Sequence, residues 1–506
     1  MQHTLGEMLS TSARQFGDRP LVVCVDRTFS ARELDDAASR LAASLRSLGL
    51  GPGDRVTLWM ENGWRWMVAY YATLRLGGVV VPCNILLTAD EVGFITGDSG
   101  AKAMIVAHDK VASVHGCPGV LRIVDRPASG HSHPDLETLL ASPAATDVAT
   151  HATRELGAHS PATIGYTSGT TGRPKGAVLR HASILLNTAM TSLVHGRTQA
   201  DVVVSALPCT HVYGNIVMNA AIACGMKLVL LPRFDEATTL QAIAEHRATM
   251  FEGVPTMFMK LLNFPELERY DLGTLRLCTV GGQTMPVAKM EETERRFGCP
   301  LLELWGMTEL GGLGTTHPHN GPRKLGSIGV ALPLTEARVA AIDDARRNVE
   351  RGEVGELLVR GPMVMDGYLD NPEATAATLE PDGWLHTGDL VRQDIDGYFF
   401  VVDRAKEVII SGGYNIYPAE VERVIAQHPA VAMVAVAAMR DEARGQAPRA
   451  FIVPRVGTRC TAAEIIEHCR PQLASYKIPR AVEFVDDLPK TSTGKILRRV
   501  LAESAL

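Results

Sequence analysis

Short β-branched runs alternate with amphipathic stretches through most of the chain, and the alternation predicts strands at 56–60, 79–82, 103–107, 202–207, 228–231 and 275–280. Between such strands the apolar period switches to that of helices. One helix is legible residue by residue: Ser30 and Glu33 form a capping box, Leu34, Ala37, Leu41, Leu45 and Leu48 make the buried stripe, and Gly49 ends it. This texture predicts an α/β fold, a large N-terminal α/β body with several sheets. From Gly352 the chain turns to closely spaced strands (355–359, 397–402) and reaches the charged segment Asp403-Arg404-Ala405-Lys406-Glu407, the expected hinge. Beyond it come a helix opened by Pro418 with Val421, Val424 and Ile425 inward, strands at 431–439 and 451–453, a second capping box at Thr461 and Glu464, and a last strand at 481–485. The predicted division is 1–403 for the body and 404–506 for a small mobile α+β domain.

Composition narrows the functions. The 506 residues are 46% hydrophobic and 21% charged, ordinary for a globular chain with more than one core. A net charge of -6 without like-charge runs gives no nucleic-acid or membrane-surface footprint. The nine cysteines are scattered singly, which argues against a disulfide framework or a structural zinc site. The N-terminus lacks a secretory pattern, and the longest apolar run, 431–439, is half a membrane span, so a cytoplasmic protein is expected. The C-terminal Ser504-Ala505-Leu506 only half matches a peroxisomal address, because its middle residue is not basic.

The most informative segment is Tyr166-Thr167-Ser168-Gly169-Thr170-Thr171-Gly172-Arg173-Pro174-Lys175-Gly176. Glycines let backbone N–H groups approach phosphate oxygens, hydroxyls donate to them, and Arg173 and Lys175 compensate charge. It is not a Walker loop, since Gly172 is followed by arginine rather than Lys-Ser or Lys-Thr. The competing reading is a glycine-rich surface turn.

This loop resembles the signature of the adenylate-forming superfamily, which includes AMP-dependent acyl- and aryl-CoA synthetases. Further segments follow in the family's order: Leu207-Pro208-Cys209-Thr210-His211, Leu304-Trp305-Gly306-Met307-Thr308-Glu309, Gly355-Glu356-Leu357, Gly367-Tyr368, and Trp384-Leu385-His386-Thr387-Gly388-Asp389. Then come Gly397-Tyr398-Phe399 with Asp403-Arg404, Gly412-Gly413-Tyr414-Asn415-Ile416-Tyr417-Pro418-Ala419-Glu420, and Pro489-Lys490-Thr491-Ser492-Thr493-Gly494-Lys495. The resemblance implies ATP-dependent activation of a carboxylic acid as acyl-AMP, then thioester formation with CoA, with Mg²⁺ as cofactor. It implies that Lys495 bridges the carboxylate and the α-phosphate, Thr308 donates to that phosphate, and Glu309 helps hold Mg²⁺. Thr167 to Gly172 and Lys175 would cradle the nucleotide. Asp389 would accept the ribose hydroxyls, Arg404 would hold ribose or phosphate, and Trp305, where relatives often carry tyrosine, would pack on adenine beside Gly306. An ion pair with Asp403 or Glu407 is the competing account of Arg404.

Lys406 matches the family hinge, about which the small domain rotates to present Gly412 and Gly413 to the pantetheine thiol. Gly281-Gly282-Gln283-Thr284 resembles the turn lining the adenine and acyl pockets. His211 resembles an aromatic gate between acyl pocket and thiol tunnel. Val212, Tyr213, Gly214, Gly281, Gly282, Met307, Gly311, Gly312, Leu313 and Gly314 would line an apolar slot suited to a benzoate, a cinnamate-like acid or a medium chain. His317 and His319 read as solvated loop residues. A separate carrier protein as acceptor, a non-carboxylate oxyanion such as nitrite, a luciferase-like oxygenase, a nucleotide-binding sensor and a homodimeric assembly all stay open.

Overall fold

The computed structural model describes residues 4–114, 117–127, 132–141, 157–167, 174–412, 414–441, 444–455, 457–490 and 496–503. Among them the strands form four sheets, of nine, seven, four and five strands. In the nine-stranded sheet Val202–Ser205, Lys227–Leu230, Met250–Gly253, Leu277–Val280 and Leu301–Met307 run parallel to one another, and Leu301–Met307 then pairs antiparallel with Gly312–Thr316. Parallel strands need crossovers, and helices such as Val212–Cys224 supply them and cover the sheet. The seven-stranded sheet is built alike from Arg55–Trp59, Val79–Pro82 and Ala103–Val106, and its Pro161–Thr167 and Lys175–Arg180 strands form an antiparallel hairpin.

The helix read from its capping box spans Ala31–Ser47, with Ser30 and Glu33 capping reciprocally. Leu34, Leu41 and Leu45 are fully buried, each burial contributing about 1.5–3 kcal/mol. Leu48 departs from the expected stripe: it is the C-cap, beyond the last full turn, and lies exposed.

The four-stranded antiparallel sheet carries Val354–Arg360, Leu385–Gln393 and Phe399–Arg404. Asp403 and Arg404 therefore still belong to a strand, and the expected hinge segment is regular backbone at its start. The small C-terminal domain follows, with helices Pro418–Ile425 and Ala462–Cys469 on a sheet containing Val431–Asp441, Gly445–Pro454 and Ala481–Phe484. Asp403 links the two parts: Oδ1 accepts the Arg404 backbone N–H at 2.7 Å and Oδ2 that of Ala419 at 2.8 Å. Burial raises its pKa to about 6, against the pull of Arg498. No described helix is long and apolar enough to cross a membrane.

Candidate active site

The antiparallel register places Thr167 opposite Lys175, at the ends of the two hairpin strands. Ser168, Gly169, Thr170, Thr171 and Gly172 between them, like Gly413 and Lys495, lie outside the described residues. Lys175 Nζ stands 5.4 Å from the centre of the Tyr368 ring, and the Tyr368 hydroxyl donates to Glu309 Oε1 at 2.7 Å. Burial first and the Glu309 charge second push the Tyr368 phenol up, keeping it a donor. Thr308 and Glu309 form the short 3-10 turn Thr308–Leu310. A Cβ on Gly165 would sit 2.6 Å from Thr308 Cγ2, so only glycine lets the hairpin approach that turn. Among the described residues no group of three or more His, Cys, Asp or Glu could hold a metal. Mg²⁺ fits regardless, because it is commonly held by one carboxylate together with substrate phosphates and water, and Glu309 is a buried carboxylate hydrogen-bonded to Tyr368.

A second group forms where two sheets meet. Trp305 Nε1 donates to Asp389 Oδ2 at 2.8 Å, and Arg404 Nε lies 2.5 Å from Oδ1. The ion pair of Arg404 is thus with Asp389 and with neither Asp403 nor Glu407, since register sets Asp389 directly opposite Arg404. Trp305 is buried, with its indole edge pinned to that carboxylate. Behind Asp389, the Gly388 N–H donates to Glu356 Oε1 at 2.9 Å, and His386 bridges Glu356 and Glu380 at 3.0 Å each. Burial alone would lower the pKa of His386, but the two carboxylates raise it. Lys406 is held below its ordinary value by burial, then by Lys175 and Arg404. The charges of Lys175 and Arg404 thus reach Lys406, a concentration of positive charge that favours an anion.

On the acyl side, His211 caps the Val212–Cys224 helix, its Nδ1 accepting the Tyr213 backbone N–H at 3.3 Å. Tyr213 is buried and Val212 and Met307 are half-buried. The glycines expected to line the slot are mostly closed against neighbours in the direction of a side chain: an added Cβ would meet Leu304 Cδ1 at 2.2 Å from Gly281, Trp305 Cζ3 at 2.5 Å from Gly314 and Asn187 Oδ1 at 2.4 Å from Gly312. Gly214 likewise packs on the Pro208 carbonyl, and Leu313 is buried. Gly282 takes φ 92° at the exposed tip of its turn, beside half-buried Gln283. Gly412 takes φ 57° and donates its N–H to the Arg444 carbonyl at 2.9 Å.

Residues 9–369 match the model of the AMP-binding enzyme family, and residues 420–495 match that of the AMP-binding enzyme C-terminal domain. The chain belongs to the AMP-binding enzyme family. A long-chain-fatty-acid–CoA ligase of Bacillus subtilis (strain 168) is 35% identical to this AMP-binding enzyme, over 99% of the chain and 94% of the relative. A 3-[(3aS,4S,7aS)-7a-methyl-1,5-dioxo-octahydro-1H-inden-4-yl]propanoyl:CoA ligase of Mycobacterium tuberculosis (strain ATCC 25618 / H37Rv) is 34% identical over 99% and 98%. Among solved structures, an anthranilate CoA ligase in complex with anthranoyl-AMP superposes with TM-score 0.93 at 26% identity, covering 100% of this chain and 97% of that one. A benzoate CoA ligase from Burkholderia xenovorans LB400 gives 0.89 at 28% identity, covering 99% of both. These are CoA ligases along their full length, and this AMP-binding enzyme is an AMP-forming acid–thiol ligase with ATP and CoA as co-substrates.

Three residues of this AMP-binding enzyme stood in quoted motifs without a role: Tyr368, Glu356 and His386. The Tyr368 hydroxyl braces Glu309, and the Glu356–His386 pair braces the Gly388 turn before Asp389. His317 corrects the reading of a solvated loop: it is buried, contacts Ser327 Oγ at 2.9 Å and the Glu303 carbonyl at 3.2 Å, and burial lowers its pKa. His319 is exposed, as expected.

Glu303 escaped sequence reading because one acidic residue in an apolar strand carries no spacing signal. It is fully buried, and burial raises its carboxyl to about 8 against a stabilising bond from the Met285 backbone. Between the ordinary value of 4.5 and 8 the unfolded chain loses this proton while the folded chain keeps it, so folding stability falls as pH rises, by up to ~1.4 kcal/mol per pH unit. Thermal unfolding of Glu303→Gln should lack this contribution, so the variant loses less stability than wild type between pH 5 and 8. Parallel losses in both proteins would show that Glu303 ionises normally.

Proposed function

We propose that the cations Lys175, Arg404 and Lys406, the carboxylates Glu309 and Asp389, and the lysine turn ending at Lys495 bind MgATP and a carboxylic acid and join them as acyl-AMP. The observation that carries this reading is the Trp305–Asp389–Arg404 group at the junction of two sheets, with the Tyr368–Glu309 pair, whose ring Lys175 approaches, as its companion. In the first half-reaction the acid's carboxylate oxygen attacks the α-phosphorus, and the bond to pyrophosphate breaks. Both partners are anionic, so positioned cations that gain effect as charge moves onto pyrophosphate lower the barrier. Lys495 neutralises the approaching carboxylate and α-phosphate, Thr308 donates to the α-phosphate, and Thr167, Ser168, Gly169, Thr170, Thr171, Gly172 and Lys175 hold the β- and γ-phosphates. Mg²⁺ on Glu309 supplies further charge neutralisation. Asp389 would accept the ribose hydroxyls, as an acceptor-only carboxylate suits a diol, with Trp305 and Arg404 holding its oxygens in place.

In the second half-reaction the CoA thiolate attacks the acyl carbon and AMP leaves, so the chain needs no covalent nucleophile. The small domain, 404–506, turns at Lys406 to bring Gly412 and Gly413 to the thiol, and His211 opens the way between acyl pocket and tunnel. Closed packing at Gly281, Gly312 and Gly314 supports a compact acid, aromatic or of medium chain, over an extended long chain.

The test is pyrophosphate release from ATP and Mg²⁺ across aromatic, medium-chain, long-chain and dicarboxylic acids, each with and without CoA. A compact acid giving CoA-dependent thioester is expected. Acid-dependent pyrophosphate release without thioester would transfer the second step to a carrier protein, and a long-chain optimum would overturn the compact pocket.

A further inference from the structure

The junction between the body and the small domain holds a carboxylate with partners on either side of it. Asp403 is tied to the body: register sets it opposite Leu390, and two residues further on the Ala405 N–H donates to the Gly388 carbonyl at 2.9 Å. Its side chain is 1% exposed. Oδ1 accepts the neighbouring Arg404 N–H, whereas Oδ2 accepts at 2.8 Å the N–H of Ala419, in the first turn of the small-domain helix Pro418–Ile425. A helix start leaves N–H groups without intrahelical partners and carries a partial positive charge. Tyr417, at the N-cap, supplies no side-chain bond, so the cap of this helix comes from Asp403.

Arg498 is the second partner. Its Nη1 lies 3.9 Å from Asp403 Oδ1 and pairs with Glu407, while Nε and Nη2 donate to Glu422 Oε1 and Oε2 at 2.9 and 2.6 Å. Glu422 is fixed in turn by accepting the Val436 backbone N–H at 2.7 Å. Glu407, Glu422 and Arg498 all follow Lys406 in the chain, and Arg498 stands three residues beyond Lys495. Asp403 precedes Lys406. A rotation about Lys406 therefore carries Ala419 and Arg498 away from Asp403, and a buried carboxylate that loses its donor and its counter-charge together is costly.

We propose that Asp403 is a latch across the hinge, which holds the small domain in the orientation described here and, through Arg498, positions the lysine turn. The inference rests on the reading of Lys406 as the hinge. Because the two half-reactions use different orientations, the strength of the latch divides turnover between them without Asp403 touching substrate. Weakening it shifts the chain toward the rotated orientation and the half-reaction that uses it.

The experiment measures the distance between spin labels at two exposed positions of the full chain, Leu193 in the body and Ala463 in the small domain, with no substrate added. Asp403→Asn keeps the side-chain shape but removes the charge and leaves one acceptor oxygen where two served. It should lower the population of the described orientation, relative to the rotated one, by about 5-fold or more, the usual weight of a helix cap. The ratio of the two half-reaction rates, pyrophosphate release with acid and ATP against thioester formation from supplied acyl-AMP, should shift by a similar factor. If Asp403→Asn does not fold, the pair Asp403→Cys with Ala419→Cys decides: its disulfide should leave one half-reaction running, and reductant should restore the other. An unchanged distance distribution, equal losses in both half-reactions, a cysteine pair that fails to cross-link, or a cross-linked chain that performs both steps overturns the latch and leaves the ligase reading intact. Silence of the wild type in both assays with every acid of the panel overturns the ligase reading, and the label distance then judges the latch alone.

Discussion

Replacing Lys495 with alanine is expected to slow acyl-adenylate formation by about two to three orders of magnitude, the usual effect of removing one preorganised charge-stabilising donor. Thioester formation from supplied acyl-AMP and CoA should be nearly untouched. The asymmetry follows from where charge builds up. Only the first half-reaction brings a carboxylate against an anionic α-phosphate, and the lysine must bridge them at that moment. In the second, a thiolate meets an anhydride already activated. The two assays are pyrophosphate release with acid and ATP, and thioester appearance from preformed acyl-AMP. Equal losses in both would sink the assignment of Lys495 to one half-reaction and, with it, the two-faced small domain.

Glu309→Gln should lower kcat/KM for ATP by about 100-fold, and raise the Mg²⁺ concentration needed for half-maximal rate. The amide oxygen of glutamine still accepts from the Tyr368 hydroxyl, so that bond survives the change. What disappears is the negative charge, and with it a hard ligand for the cation. A titration of rate against Mg²⁺ separates the roles. An unchanged Mg²⁺ requirement would reduce Glu309 to an anchor for Tyr368.

Period and capping made much of the body legible. The Ser30–Glu33 box and the 79–82 strand are local signals, and they coincide with Ala31–Ser47 and Val79–Pro82. The nucleotide side was legible as motifs, yet their pairing was not. Asp389 lies opposite Arg404 and receives Trp305 from 84 residues away, which antiparallel register and sheet packing decide and no spacing reveals. The packing of the acyl side was not legible either. A glycine in sequence looks like room, whereas at Gly281, Gly312 and Gly314 the side chains of Leu304, Asn187 and Trp305 already occupy the place of a side chain. His317 went wrong for want of the same information, since flanking residues do not disclose burial.

The bond between Trp305 and Asp389 joins a strand of the nine-stranded sheet to one of the four-stranded sheet. A ribose seated on Asp389 would therefore act as mortar between two blocks of the body, because its binding surface exists only once they have docked. By mass action, such a ligand favours the assembled state over any form in which the sheets have parted. With ribose there, the nucleotide would be a structural member as well as a reagent, and added ATP would raise the temperature at which the body unfolds.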